Sequence, residues 1–149
     1  MAAFLGIAQT AEVALAAATP KTIVQIAAPA NHRVKVLGWG VFFDGVVTTG
    51  EPVQVALVRQ STAGTMSALT PVKVDDSIAE TLLVTALHTA TAEPTTGDTI
   101  DMCEVHPQQG YEIIYPLGQE PICGGGDRVG IICTAPAIVN VRAKIRFEE

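Results

Sequence analysis

The sequence predicts an all-β fold: a single antiparallel β-sandwich, jelly-roll-like, carrying an N-terminal arm. Three observations predict it. Short apolar runs recur along the chain with turn signals about every 8–12 residues. The last run alternates without a break: Val139, Val141, Ala143, Ile145 and Phe147 fall on one side, Asn140, Arg142, Lys144 and Arg146 on the other. Long stretches of helix-forming Glu, Lys, Leu and Arg are missing, while Ala, Thr, Val and Gly recur throughout.

The 149 residues suit one domain with a sizeable core. Charged residues make up only 16% of the chain, against ~25% in an ordinary soluble domain. So sparse a charged surface implies burial against partners. The formal net charge is −6, and nothing basic clusters before the last run. That excludes the electrostatic footprint of a nucleic-acid-binding protein. No run approaches the ~20 apolar residues of a membrane-spanning helix, so no membrane partner is expected. Cys103, Cys123 and Cys133 are odd in number and lack metal-ligand spacing. They read as small apolar residues in a protein made in a reducing cytoplasm. The Ala-rich start lacks a basic segment and is interrupted by Gln9 and Glu12, so it is not read as a signal peptide.

Residues 1–20 have no firm period. They are bracketed by Thr10 and by Thr19-Pro20 and read as an extended arm, with residues 21–149 forming the sandwich. Residues 22–27 alternate moderately, and Pro29-Ala30-Asn31-His32 turns the chain. Residues 33–45, RVKVLGWGVFFDG, form the longest strand-like run and hold the only Trp. Alternation puts Leu37, Trp39, Val41 and Phe43 on one face, and Val34, Val36, Gly38, Gly40 and Phe42 on the other. Both faces are apolar. One is therefore assigned to the core and one to a second layer or a neighbouring subunit, with Gly38 and Gly40 leaving a shallow groove. Strands follow over residues 53–60, 83–91, 99–106, 111–115 and 128–134, and a short edge segment over 68–74, where Pro71 interrupts. Residues 75–83 are compatible with one helical turn, since Ser77 and Glu80 match a capping box.

The chain carries few residues in patterns that do chemistry. Gly124-Gly125-Gly126-Asp127 leads into a strand, not a helix, and lacks a following Gly-Lys-Ser/Thr, so it reads as a turn and not a phosphate loop. In Cys103-Glu104-Val105-His106, alternation sends Cys103 to the face opposite Glu104 and His106. Two ligands fall short of a zinc set, so Glu104 and His106 read as a hydrogen-bonded surface pair. His32 and His88 have no partner that makes a triad. No catalytic residue, cofactor or metal is expected. Arg142, Lys144 and Arg146 form a cationic row, either a solvated strand face or a docking stripe for an acidic surface.

The segments GWGVFFDG, PVQVALVRQSTAGTMSALTPVKVDD, TATAEPTTGD and VHPQQGYEIIYPLGQEPICGGGDRVGIICTAPAIVNVRAKIRFEE together resemble a family of tailed-bacteriophage head proteins, the capsid decoration (head auxiliary, or cement) proteins. The resemblance spans roughly residues 21–149. It is a pattern of strands and loops without a chemical signature. It implies a β-sandwich assembled as a homotrimer at local threefold positions, on the exterior of a virion put together in the host cytoplasm. The partner would be the major capsid protein. Under this reading Ala2, Phe4, Leu5, Ile7, Val13 and Leu15 are candidate capsid-binding residues of the arm. Leu37, Trp39, Val41, Phe43, Arg142, Lys144 and Arg146 are candidate subunit-interface residues. Two rivals differ in what they require. A trimeric phage tail or receptor-binding module needs an exposed aromatic or polar saccharide pocket. A cupin-like enzyme needs two or three His and a carboxylate on inward strand positions. The fold expectation is checked by far-UV circular dichroism: a strand-dominated spectrum is expected, and a helix-dominated one would refute it.

Overall fold

The structure, a computed structural model, describes residues 3–149. The described chain forms thirteen strands and no helix. They are β1 (Leu5–Gln9), β2 (Val13–Leu15), β3 (Lys21–Ala27), β4 (Val34–Phe43), β5 (Val53–Gln60), β6 (Thr65–Leu69) and β7 (Val72–Lys73). After these come β8 (Thr85–Ala92), β9 (Thr96–Val105), β10 (Gly110–Ile114), β11 (Ile122–Cys123), β12 (Arg128–Thr134) and β13 (Val139–Glu148). They build two antiparallel sheets packed face to face. The first runs β10-β4-β13-β1-β7, with β11 also on β4 and β2 also on β13; the second runs β6-β8-β3-β12-β5-β9. The chain passes between sheets at both flanks, through the β6–β7 and β9–β10 connections.

The N-terminal segment is not an arm. β1 pairs with β13 from Leu5↔Glu148 to Gln9↔Lys144, and β2 continues along the same strand from Val13↔Val141 to Leu15↔Val139. Thr10 bridges the two: its amide donates to the Ala143 carbonyl at 2.9 Å, and its hydroxyl accepts from the Ala143 amide at 3.1 Å. Ala8, Val13 and Leu15 enter the core. The physical reason is the central position of β13, whose inner face needs a neighbour on each side.

β4 explains its two apolar faces internally. Its register with β13 pairs Arg146 with Gly38 but Phe147 with Val36, so a β-bulge falls at Leu37. A bulge places one extra residue in one strand and reverses the alternation beyond it. Val34 and Val36 before the bulge, and Trp39 and Val41 after it, therefore all point inward and are buried. No neighbouring subunit is needed to cover them. β3 carries a similar irregularity at Ile23, where its register with β12 skips from Val24↔Ile131 to Thr22↔Ile132. Ile23, Val24 and Ile26 then enter the core, while Thr22 and Gln25 lie on the outer side.

That outer side is roofed by the chain itself. β8 leaves β3 after His88, at Thr89, whose φ of 55° is left-handed. The bend carries the β8–β9 connection across the sheet. Glu93 accepts from the Thr22 amide at 2.9 Å and the Thr22 hydroxyl at 2.6 Å. Thr22 in turn accepts from Gln60 Nε2 at 3.1 Å, and Gln60 Oε1 accepts from Gln25 Nε2 at 2.7 Å. Gly130 makes room for this row, because a Cβ there would collide with the Gln60 amide. Residues 75–83 form no helical turn. Asp75 Oδ1 instead accepts from both the amide and the hydroxyl of Ser77, an Asx turn that competes with the capping box.

Thr89 supplies a test of the bend. A β-branched residue in the left-handed region is strained, by about 1–2 kcal/mol, whereas Gly adopts that φ freely at an entropic cost of about 0.5–1 kcal/mol. Thr89→Gly is expected to raise stability by up to about 1 kcal/mol. Thr91→Gly, two residues on, is expected to lower it. Chemical denaturation of both variants checks the sign.

Candidate functional site

The residues singled out from sequence are scattered by the fold. Of the candidate arm residues, Ala2 lies outside the described residues. Val13 and Leu15 are buried, Phe4 and Ile7 are half-buried, and Leu5 is 41% exposed. Val13 and Leu15 thus face this chain's own core and present no surface to a shell. Trp39 and Val41 are likewise internal and form no subunit interface. Phe43 packs against the core, and Leu37 is the half-buried bulge residue.

The cationic row is partly neutralised from within the chain, two carboxylates facing its three cations. Glu112 on β10 stands opposite Gly40 on β4, and Gly40 stands opposite Lys144 on β13. Because Gly40 has no side chain, Glu112 reaches across the strand. Its Oε1 lies 2.9 Å from both Lys144 Nζ and Arg146 Nη2. Lys144 also sits 5.1 Å from the Phe42 ring centroid, a cation–π contact. Arg142 faces Glu12 at 3.7 Å. Over Gly40 the expected groove is therefore filled by an ion cluster, and at Gly38 it is closed by the Ile113 carbonyl, while Arg142 stays exposed.

At the β9–β10 flank, a hydrogen-bond chain ties the sheets together. Trp39 Nε1 donates to the Tyr115 hydroxyl at 3.0 Å, and that hydroxyl donates to Asp101 Oδ2 on β9 at 3.1 Å. Burial is the main reason that the Tyr115 phenol is held well above its usual range; the nearby Asp101 carboxylate acts in the same direction, against the Trp39 bond. The Tyr111 ring tilts against Trp39 with centroids 5.3 Å apart. Every contact here serves the protein's own cohesion.

The open surface lies at one end of the sandwich. The β4–β5 loop, Pro107 and the β12–β13 loop enclose a cleft of ≈ 330 Å³, floored by Val53 and Val139. Val46 and Ile138 on its rim are 84% and 82% exposed, and Val47 is exposed beside them. A two-sided clamp fixes this rim. Asn140 donates to Asp44 through its amide and Nδ2, both at 2.9 Å, and the Asp44 amide donates back to the Asn140 carbonyl at 3.3 Å. These bonds hold the Asp44 carboxyl below its usual range. His106 steadies the loop from behind. Its Nδ1 accepts from the Gln108 amide at 3.2 Å, so Nε2 carries the proton and donates to the Thr48 carbonyl at 3.2 Å. His106 is thus committed to the loop and does not pair with Glu104. Sequence reasoning missed this rim. Its signal was present: aliphatic Val46, Val47 and Ile138 occupy turn segments in which polar residues are the rule.

Two further apolar clusters are exposed. Leu117 sits at the apex of a turn closed by the Gln119 amide on the Pro116 carbonyl, with Gly118 at φ 86°, and is 93% exposed. Ile114 and Ile122 flank it. On the opposite flank, Val72, Val74, Leu83 and Leu5 are exposed together, and the Val74 amide bonds to the Leu5 carbonyl. Among the described residues no three His, Cys, Asp or Glu side chains converge. Burial raises the thiol pKa of Cys103, Cys123 and Cys133, so these thiols are poor nucleophiles.

The fold and these surfaces define a β-sandwich with several separate exposed apolar patches. No family model, no curated protein and no solved structure matches the chain.

The tyrosine chain gives a pH test. A phenol whose folded pKa exceeds the unfolded value of ~10 binds its proton more tightly in the folded state. Its contribution is complete below pH ~10 and is lost as pH rises above that. Tyr115→Phe is expected to cost about 1–3 kcal/mol at neutral pH, because the buried Trp39 N–H loses its acceptor. Its stability is then expected to decline less steeply with alkaline pH than that of the wild type, as denaturant melts at pH 8–11 would show; parallel declines would refute the assignment.

Proposed function

We propose that the chain is a structural, non-catalytic protein of a bacteriophage capsid. On this reading it decorates and stabilises the shell as a homotrimer, bound across neighbouring subunits of the major capsid protein. The observation that carries this reading is the distribution of exposed aliphatic side chains over three separate places. They are the cleft rim with Val46, Val47 and Ile138, the turn with Leu117, and the flank with Val72 and Val74. An enzyme or a small-ligand binder concentrates its unusual surface in one pocket. A subunit that touches several neighbours needs several apolar patches on a rigid body. Repeated weak contacts on a symmetric lattice then add up to firm retention. The resemblance to capsid decoration proteins supplies the particular assembly. The cleft rim is the best shell-facing candidate, because its loops are clamped and its aliphatics point to solvent.

The test is co-sedimentation of the purified protein with undecorated shells of the parent phage. Binding near saturation is expected for the wild type. Val46→Asp combined with Ile138→Asp is expected to reduce it at least tenfold at unchanged thermal stability. Absence of wild-type binding would refute the capsid reading. Binding unaffected by the double variant would move the contact away from the cleft.

A further inference from the structure

β6 (Thr65-Met66-Ser67-Ala68-Leu69) is an outer strand of the second sheet, paired only with β8. Its outward amides and carbonyls make no hydrogen bond within the described residues, and only the Thr65 carbonyl takes a side-chain bond, from Thr91. Such an edge is a template for another strand, and proteins protect it with charges, proline or shortening. The other edges carry that protection. β9 bears Asp98, Asp101 and Glu104, β10 bears Glu112, and β7 and β11 are two residues long. β6 has no charged residue and no proline.

We infer that β6 is a homotypic contact, pairing antiparallel with β6 of a second copy of this chain across a two-fold axis at Ser67. Its sequence suits itself in that arrangement. Ser67 faces Ser67, Met66 faces the small Ala68, and Thr65 faces Leu69, so no like charges oppose each other. The same operation on β10 would oppose two Glu112 carboxylates. The second layer reinforces the choice of partner. Only Thr70 and Pro71 separate β6 from β7, so Val72 and Val74 occupy the same flank as the open edge and are 67% and 58% exposed. Joining two copies edge to edge brings these two flanks together, with Val72 and Val74 beside the seam on the outer face of the first sheet, since Val72 pairs with Ile7 and the inward positions are Gly6 and Ala8. A two-fold contact of this kind acts between trimers and not within them, and it does not depend on the capsid reading.

The test is made in solution on the full chain. Across a two-fold axis the two Ser67 Cα atoms lie ~4.5–5.5 Å apart, within the ~4.4–6.8 Å that a disulfide spans. Ser67→Cys is expected to oxidise to a covalent dimer at least tenfold faster than Met102→Cys, an exposed control on β9. Ser67→Lys opposes two ammonium groups and is expected to halve the light-scattering mass of the wild-type assembly, with an unchanged thermal melt. Cross-linking of Ser67→Cys no faster than the control would overturn the inference. So would a Ser67→Lys protein of wild-type mass, or a wild type that stays monomeric or purely trimeric at high micromolar concentration.

Discussion

The pairing of β13 with β4 is the constraint on which the first sheet depends. It runs the length of both strands, from Val141↔Phe43 to Glu148↔Lys35. The bulge in β4 at Leu37 lets Val34, Val36, Trp39 and Val41 all reach the core. β13 also supplies the register for everything beyond it. β1 and β2 align end to end along its free side, and the Glu149 carboxylate accepts from the Leu83 and Val84 amides, tying down the approach to β8. Slipping β13 by one residue would turn Val141, Ala143, Ile145 and Phe147 outward and bury Arg142, Lys144 and Arg146. Such a register is therefore set by side-chain burial, and the ion cluster on the outer face agrees with it.

Glycine recurs in this architecture as a way of letting side chains cross strands. Gly40 lets Glu112 pass over β4 to reach Lys144 and Arg146, and Gly130 lets Gln60 lie across β12 to reach Gln25 and Thr22. In each case the neighbours of a glycine bond over it and join strands that share no backbone ladder. Such bridges are worth more than exposed pairs, since half-buried partners are less screened by solvent. They also leave the outer faces without obvious charge stripes. The sites open to other molecules are then the loops and edges.

The sequence disclosed what depends on local alternation. β13 and β5 came out with nearly their full extent, and the sandwich followed from their rhythm. It concealed what depends on a distant partner. The apolar Val34 and Val36 looked like a second face to be covered by another layer or a neighbouring subunit, because nothing in the local pattern marks Leu37 as a bulge; the bulge exists only against β13. β1 and β2 are five and three residues long, too short to establish a period, and their strand character comes from the waiting edge of β13. The cationic row was legible as residues but not as an ion-paired cluster, since Glu112 lies on another strand. The cleft rim was missed because loop positions carry no periodicity. Val46 and Ile138 meet only when two connections converge.

The separation of β4 and β13 along the chain has a consequence for biosynthesis. Lys35 and Glu148, joined by an ion pair at 3.2 Å, are 113 residues apart. At ordinary translation rates of about 5–20 residues per second, β4 emerges from the ribosome about 6–23 s before its partner. During that interval the apolar side of β4, Trp39 included, has neither its central neighbour nor its cover. The second sheet gains little head start, since β12, which joins β3 to β5 at its centre, ends at Thr134, just before β13 begins at Val139. Both layers are thus expected to stay incomplete until the last two long strands emerge together, and the nascent protein to be at its most dependent on chaperones in that window.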